Sequence, residues 1–371
     1  MKVDTISLNS VRLNTIALNH IGEIRSGGGG SKPSPIPQWI REHVVFYYDV
    51  KKQGATNETL KESAYLQDLS GKGRRMKLTN FLFDMMSGVD GYKNKAFVEV
   101  SGAIDIRFDH INGRQIKGKP AQDWDKFGYY RAKNMVERII YCKWHVEGIL
   151  DDNKVYVAQY TAYDNRVELH NGDNYIELDT NQGKAGYNYI SVISDQPYST
   201  DITITQIPEY PGALVTDGVD DYGLVENLSS GVKMLFMTVN PIGDFNIGKM
   251  YYSQRHNPID ITPFYIFTGG TNNIAYAGNR DGVTYINGVL NKSITYNELF
   301  GVKHTITTVN DNVKPETSKA PSFFWEEGNT KNYCSRLAFY NSIAFDSIPT
   351  EADGFTEQEL IDYVLTNIIG Q

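Results

Sequence analysis

The stretch Tyr210–Val225, YPGALVTDGVDDYGLV, limits what this chain can fold into more than any other. Two apolar runs, Ala213-Leu214-Val215 and Gly223-Leu224-Val225, bracket the turn-rich segment Asp217–Asp221. Gly218 can take φ > 0 and the aspartates can bond their own backbone, so the pattern predicts a tight strand–turn–strand. Taken alone it is a hairpin. With 25 tyrosines and 33 glycines in 371 residues, the chain favours turn-rich β structure, and the expected fold class is all-β.

The residues Gly212–Glu226, GALVTDGVDDYGLVE, resemble the second and third strands of laminin-G-like (concanavalin-like) jelly rolls, which often carry a G-A-L-x-x-D-G-x-D-D-Y run. That family places a D-L-S-G-x-G stretch a short way upstream, whereas here Asp68-Leu-Ser-Gly-Lys-Gly73 lies far upstream. The resemblance therefore implies a jelly roll over 39–91 and 209–371, interrupted by an inserted domain at 92–208. Tyr285–Leu290 reads as a hairpin from its Asn287-Gly288 turn and is similar to the family's Y-x-N-G hairpin. Arg336–Phe345 reads as the last long strand. Thr356-Glu-Gln-Glu359 then opens a helix as a capping box, with Leu360, Tyr363 and Val364 on its apolar side. A strand followed by such a helix is how the family commonly ends. The run YYDVKKQGATNET, LQDLSGKG and LTNF within Tyr47–Phe81 resembles the opening of jelly-roll proteins from tail regions of phages that infect gut Bacteroidota, crAss-like phages among them.

Residues 1–25 carry a five-residue repeat, with Leu8-Asn9, Leu13-Asn14 and Leu18-Asn19 in register. The apolar positions Leu8, Val11, Leu13, Ile16, Leu18 and Ile21 scatter round a helix at about 100° per residue and change face in a strand. A short β-helical turn, or strands intertwined with identical copies, suits the period, and three repeats are too few to bury a core alone. Two readings stand: an anchor that folds on a partner or in a homotrimer, and a disordered tail. Residues 26–38, with Gly27–Gly30 followed by Ser31-Lys-Pro-Ser-Pro-Ile-Pro37, form a linker that is first flexible and then stiff.

Val44–Tyr48 signals a buried strand, Asp49–Leu69 reads as polar loop, and Met76–Phe83 alternates as another strand. In 92–208 the strand candidates are Ala96–Val100, Ile104–Phe108, Lys154–Ala158, Tyr175–Leu178, Tyr189–Ile193 and Ile202–Thr205, the spacing of a small β-sandwich. Met135, Ile139, Cys142 and Val146 fall at helical spacing, yet Ile139–Cys142 reads equally as a strand, which is the reading favoured. Further strands are expected at Met234–Val239, Lys249–Tyr252, Pro263–Phe267, Asn273–Tyr276, Val283–Ile286 and His304–Thr308.

A net charge of −8 with scattered basic residues argues against nucleic-acid binding. No run of about 18 apolar residues exists to span a membrane. No signal-peptide pattern is visible, and Cys142 and Cys334 suggest neither a disulfide framework nor a metal site, so synthesis in a reducing cytoplasm is expected.

Retaining glycosidases need two carboxylates about 5 Å apart. The nearest pattern, Glu177-Leu-Asp179, has Asn181 and Gln182 where a second glutamate belongs, and reads as a solvated strand end. With no nucleophile elbow, paired-histidine zinc motif or phosphate loop, enzyme activity is not supported. A binding role remains. The lectin resemblance implies sugar contacts from loops at the rim of the concave sheet, and the candidates are Tyr252, Arg255, Asn257, Asn279, Arg280, Asp281 and Trp325. Calcium could sit at Asp217, Asp220 and Asp221, although turn formation explains these residues without a cofactor. Together these readings suggest a non-enzymatic virion appendage of a phage, the alternatives being a bacterial surface carbohydrate-binding protein and a purely structural virion decoration protein that binds no sugar. The appendage's N-terminal segment would dock on other virion proteins, and it would bind host surface polysaccharide, as a homotrimer.

Overall fold

The computed structural model describes residues 37–84, 86–92, 108–112, 114–120, 130–131, 139–150, 152–159, 162–179, 189–228, 231–242, 250–253, 265–268, 274–276, 283–291, 295–310, 321–324 and 334–370. Nearly half of them lie in strands. The chain divides into two compact units: Asp90–Pro211 forms one, and the segments on either side of it form the other. The repeat of residues 1–25, with its anchor positions Leu8, Asn9, Val11, Leu13, Asn14, Ile16, Leu18, Asn19 and Ile21, lies outside the described residues.

Before residue 90 the strands are β1 (Val44–Asp49), β2 (Tyr65–Leu66), β3 (Met76–Thr79) and β4 (Gly88–Val89). The Asp90–Pro211 unit supplies β5 (Phe108–Asn112), β6 (Gln115–Gly118), β7 (Tyr130–Arg131), β8 (Ile139–Glu147) and β9 (Val155–Gln159). It continues with β10 (Ala162–Leu169), β11 (Gly172–Asp179), β12 (Tyr189–Ser194) and β13 (Ile202–Gln206). After it come β14 (Leu214–Val215), β15 (Tyr222–Val225), β16 (Met234–Pro241), β17 (Met250–Ser253), β18 (Tyr265–Thr268) and β19 (Ile274–Tyr276). The last five are β20 (Val283–Ile286), β21 (Val289–Leu290), β22 (His304–Val309), β23 (Ser322–Phe323) and β24 (Leu337–Phe345).

In the flanking unit, one sheet runs β21-β20-β22-β16-β24-β14-β4 and the other β19-β18-β17-β23-β15-β3-β2. Strand β24 organises the first sheet. One of its edges pairs with β16 along its length. The other takes β14 at Ala338 and Phe339 and then β1 from Asn341 to Phe345, so strands from both sides of the Asp90–Pro211 unit lie along one edge.

The two sheets share one core. Phe46, Tyr48, Leu235, Met237 and Phe339 come from the first sheet; Met76, Leu78, Val225, Tyr252 and Phe323 come from the second. The Phe323 ring lies 5.9 Å from Phe46, 5.1 Å from Tyr252 and 5.7 Å from Phe339 in edge-on geometry. Burying each such side chain contributes roughly 1.5–3 kcal/mol. The far face of the first sheet is covered too. Tyr47, Phe236 and Ile343 pack there against Trp39 and Ile40 of the helix Gln38–His43 and against Leu360, Ile361, Val364 and Ile368 of the C-terminal helical segment. A sheet covered on both faces needs apolar residues at consecutive positions, which explains the unbroken burial of β1 and β16.

The C-terminal helix starts with the expected capping box: Thr356 Oγ1 accepts from the Glu359 N–H, and the Glu359 carboxylate accepts from the Thr356 N–H at 2.7 Å. The stretch expected as loop after Asp49 instead contains a helix, Asn57–Ser63, because Thr56 and Thr59 make the same reciprocal cap. Its threonine at the third helical position hides it from a search for Glu or Gln there.

The Asp90–Pro211 unit has a four-stranded sheet, β10-β9-β12-β7, and a five-stranded one, β11-β8-β13-β6-β5. Trp144, Val146, Ile176, Ile202 and Ile204 from the second meet Val155, Val157, Leu169 and Val192 from the first. The described part of the ambiguous segment, Ile139–Val146, lies in a strand, since Trp144 and Val146 turn inward while Lys143 and Glu147 stay exposed, a period of two.

Candidate functional site

The Asp217–Asp221 turn is the focus of the flanking unit, and it does not close a hairpin. Strand β14 pairs with β24 and β4, whereas β15 pairs with β3 and β23 in the opposite sheet. The turn is an arch between the two sheets, so side chains replace ladder bonds. Thr216 Oγ1 donates to the Ser335 carbonyl at 2.6 Å and accepts from the Leu337 N–H at 3.0 Å. Asp217 Oδ1 accepts from the Val219 N–H at 2.7 Å and the Asp220 N–H at 3.3 Å. Gly218 sits at φ +74°, where a Cβ would fall 2.7 Å from Arg336 Cβ.

Asp221 is fully buried. Its Oδ2 accepts from the Asp217 N–H at 2.8 Å and its Oδ1 from the Ser87 hydroxyl at 3.0 Å. Ser87 Oγ in turn accepts from the Leu82 N–H, and the Asn80 side-chain amide donates to the Asp220 carbonyl at 3.0 Å. The 80–90 segment that braces the arch holds Asn80, Phe83 and Asp90 at positive φ. Beside it Leu82 is 64 % and Val219 56 % exposed. Burial pushes the Asp221 carboxyl up to about 8, reinforced by the charges of Asp217 and Asp220 and opposed by the hydrogen bonds from Asp217 N–H and Ser87. At neutral pH Asp221 is therefore largely the neutral acid.

Carboxylate oxygens of Asp217, Asp220 and Asp221 lie within 4.8 Å of one another and could serve a hard divalent cation. Both oxygens of Asp221 are already occupied by the hydrogen bonds of the arch, which account for the cluster by themselves.

The upstream Asp68–Gly73 motif is structural. Asp68 accepts three backbone N–H groups, from Tyr47 at 3.0 Å, Ser70 at 2.9 Å and Arg74 at 3.0 Å, while Arg74 donates to the Val45 carbonyl at 2.9 Å. The motif fastens a loop to β1.

Of the residues expected to touch sugar, Tyr252 is corrected. It is 0 % exposed and packs edge-on against Phe323 at the centre of the core, because β17 lies inside its sheet between β23 and β18. Arg255, Asn257, Asn279, Arg280, Asp281 and Trp325 lie outside the described residues. Glu177 is exposed near the end of β11.

A cluster that sequence reasoning missed lies on β8 and β11. His145 Nδ1 is 2.6 Å from Asp173 Oδ1, and its Nε2 is 3.7 Å from Glu147 Oε1. The hydrogen bond to Asp173 is the main cause that raises the His145 pKa above its ordinary value. His145 and Glu147 two apart are legible as one strand face, but Asp173 joins them only through the β8–β11 register.

Comparison with family models, curated proteins and solved structures gives no match. No helix among the described residues is long and apolar enough to cross a membrane.

Proposed function

We propose that the chain is a virion appendage protein whose flanking unit is a laminin-G-like jelly roll interrupted by an inserted domain, and that it binds host surface glycan without acting on it chemically. The supporting observation is that β1–β4 and β14–β24, separated by the Asp90–Pro211 unit, complete one pair of sheets around one core. The arch that carries the G-A-L-x-x-D-G-x-D-D-Y pattern passes from one of these sheets to the other. Residues 1–25 act as the assembly or docking segment, and Arg255, Asn257, Asn279, Arg280, Asp281 and Trp325 supply sugar contacts at the rim. The partners are other virion proteins, host surface polysaccharide and further copies of the chain in a homotrimer.

The test compares the full chain with a version lacking residues 1–25. Light scattering after size exclusion gives the mass of each, and both are applied to a glycan array that includes capsular polysaccharides. A trimeric full chain, a monomeric truncated chain and binding on the array support the appendage reading. Two monomers that bind nothing on the array overturn the lectin role and leave a structural decoration protein.

A further inference from the structure

The two ring nitrogens of His145 have different surroundings. Along β8, His145 and Glu147 share the outward face while Trp144 and Val146 turn into the core. Register places Asp173 of β11 across from His145 on one side and Thr205 of β13 on the other. Thr205 Oγ1 already accepts from the Gln115 side chain at 3.0 Å. His145 Nδ1 is 2.6 Å from Asp173 Oδ1, a separation that requires a proton between them, so Nδ1–H donates to the carboxylate. The other nitrogen, Nε2, stands 3.7 Å from Glu147 Oε1, too far for a hydrogen bond.

We infer that His145 Nε2 and the Glu147 carboxylate form an open Zn²⁺ site, with Asp173 as the positioning residue that orients the imidazole. Three features support this site. The first is spacing. Zinc holds nitrogen and carboxylate oxygen at about 2.0–2.2 Å, so two ligands at a tetrahedral angle lie about 3.4 Å apart. The observed 3.7 Å is close to that, and the Glu147 side chain, 70 % exposed, has the rotamer freedom to close the difference. The second is the support behind the ligand. A metal-bound histidine usually donates its other N–H to a carboxylate, which fixes the tautomer and the ring plane, and Asp173 occupies that place from the neighbouring strand. The third is the donor set. One imidazole nitrogen with one carboxylate suits zinc, whereas calcium and magnesium take oxygen ligands. The Asp217, Asp220 and Asp221 cluster offers only oxygens, so metal preference separates the two places. His145 and Glu147 both reach water, which leaves the remaining positions on the ion to water molecules.

Isothermal titration of the full chain, free of any histidine tag and stripped with chelator, with ZnCl₂ and separately with CaCl₂ tests the inference. The variants are His145→Ala, Glu147→Gln and Asp173→Asn, with circular dichroism checking that each is folded. One equivalent of zinc bound by the wild type and lost in His145→Ala and Glu147→Gln supports the site. A 10–100-fold weaker affinity in Asp173→Asn supports the orienting role, since removing such a partner typically costs that much. Thermal melts give a second reading, because an ion that binds only the folded chain raises the melting temperature. Zinc should raise it in the wild type and leave His145→Ala unmoved. No zinc binding by the wild type overturns the inference. So does a zinc equivalent that survives in His145→Ala, or calcium displacing zinc from the wild type at equal concentration.

Discussion

Raising the pH from 5 to 8 should destabilise the flanking unit, and Asp221→Asn should abolish most of that dependence. Asp221 is raised from an ordinary 3.8 to about 8, so the folded state holds a proton that the unfolded state releases. The linkage sign follows: the contribution to stability is complete below pH 4 and is lost as the pH climbs toward 8. Each pH unit in that window removes about 1.4 kcal/mol, so the span from pH 5 to 8 removes about 3–4 kcal/mol. For a unit of this size that lowers the melting temperature by roughly 8–15 °C. Asparagine keeps an oxygen for the Asp217 N–H and places an amide against Ser87 without ionising. Differential scanning calorimetry at pH 5, 6.5 and 8 in EDTA is the assay. A wild-type transition that does not move, or a variant as pH-dependent as the wild type, refutes the reasoning. Repeating the pH 8 scan in calcium separates a second possibility. Calcium that restores the wild type but not the variant would mean that the carboxylates serve a cation as well as the arch.

Four further substitutions have expected outcomes. Tyr252→Ala should lower stability by about 3–5 kcal/mol in urea unfolding, as large aromatic truncations in cores do, and a fully folded variant with altered glycan binding would contradict its core placement. Gly218→Ala should cost at least 1–2 kcal/mol, from positive φ together with a clash at Arg336. Gly71→Ala, at φ +80° with open space around it, should cost only about 1 kcal/mol in the same melts. Thr356→Ala should cost about 1 kcal/mol, read as faster amide exchange in the first turn of Glu357–Tyr363.

What was legible in the sequence follows from what each signal measures. The Asn287-Gly288 hairpin forms as expected, with both residues at positive φ, because a two-residue turn is a local property. The β14 and β15 runs were legible as strands with a turn between them, but not as members of opposite sheets. Their partners, β24, β4, β3 and β23, are distant in sequence, and a turn of aspartates and glycine can serve an arch as readily as a hairpin. Tyr252 misled for a related reason: tyrosine is at home both on a wet rim and in a core, and only the position of β17 between two strands decides. Of the His145, Asp173 and Glu147 cluster only the two-residue spacing of His145 and Glu147 shows in the sequence, since the cross-strand register that adds Asp173 is fixed by tertiary pairing.

The topology also says where the chain tolerates surgery. β4 and β14 pair antiparallel, Gly88 with Val215 and Val89 with Leu214, so the backbone leaves the flanking unit and returns to it on adjacent strands. At the corresponding ends of the Asp90–Pro211 unit, the Tyr210 N–H donates to the Gly91 carbonyl at 3.3 Å. The unit thus occupies the place of a hairpin loop between β4 and β14, with its own two ends already side by side. Closing the chain there involves little strain, and the loop-closure entropy grows only slowly with the length it spans. Replacing residues 92–209 with about four Gly/Ser residues, an ordinary hairpin length, should therefore leave the two sheets and their core intact. The expected result is a soluble chain with a β-type circular dichroism spectrum and one cooperative melt. Aggregation, or a spectrum without strand signal, would mean that the flanking unit depends on the Asp90–Pro211 unit for more than the path of its backbone.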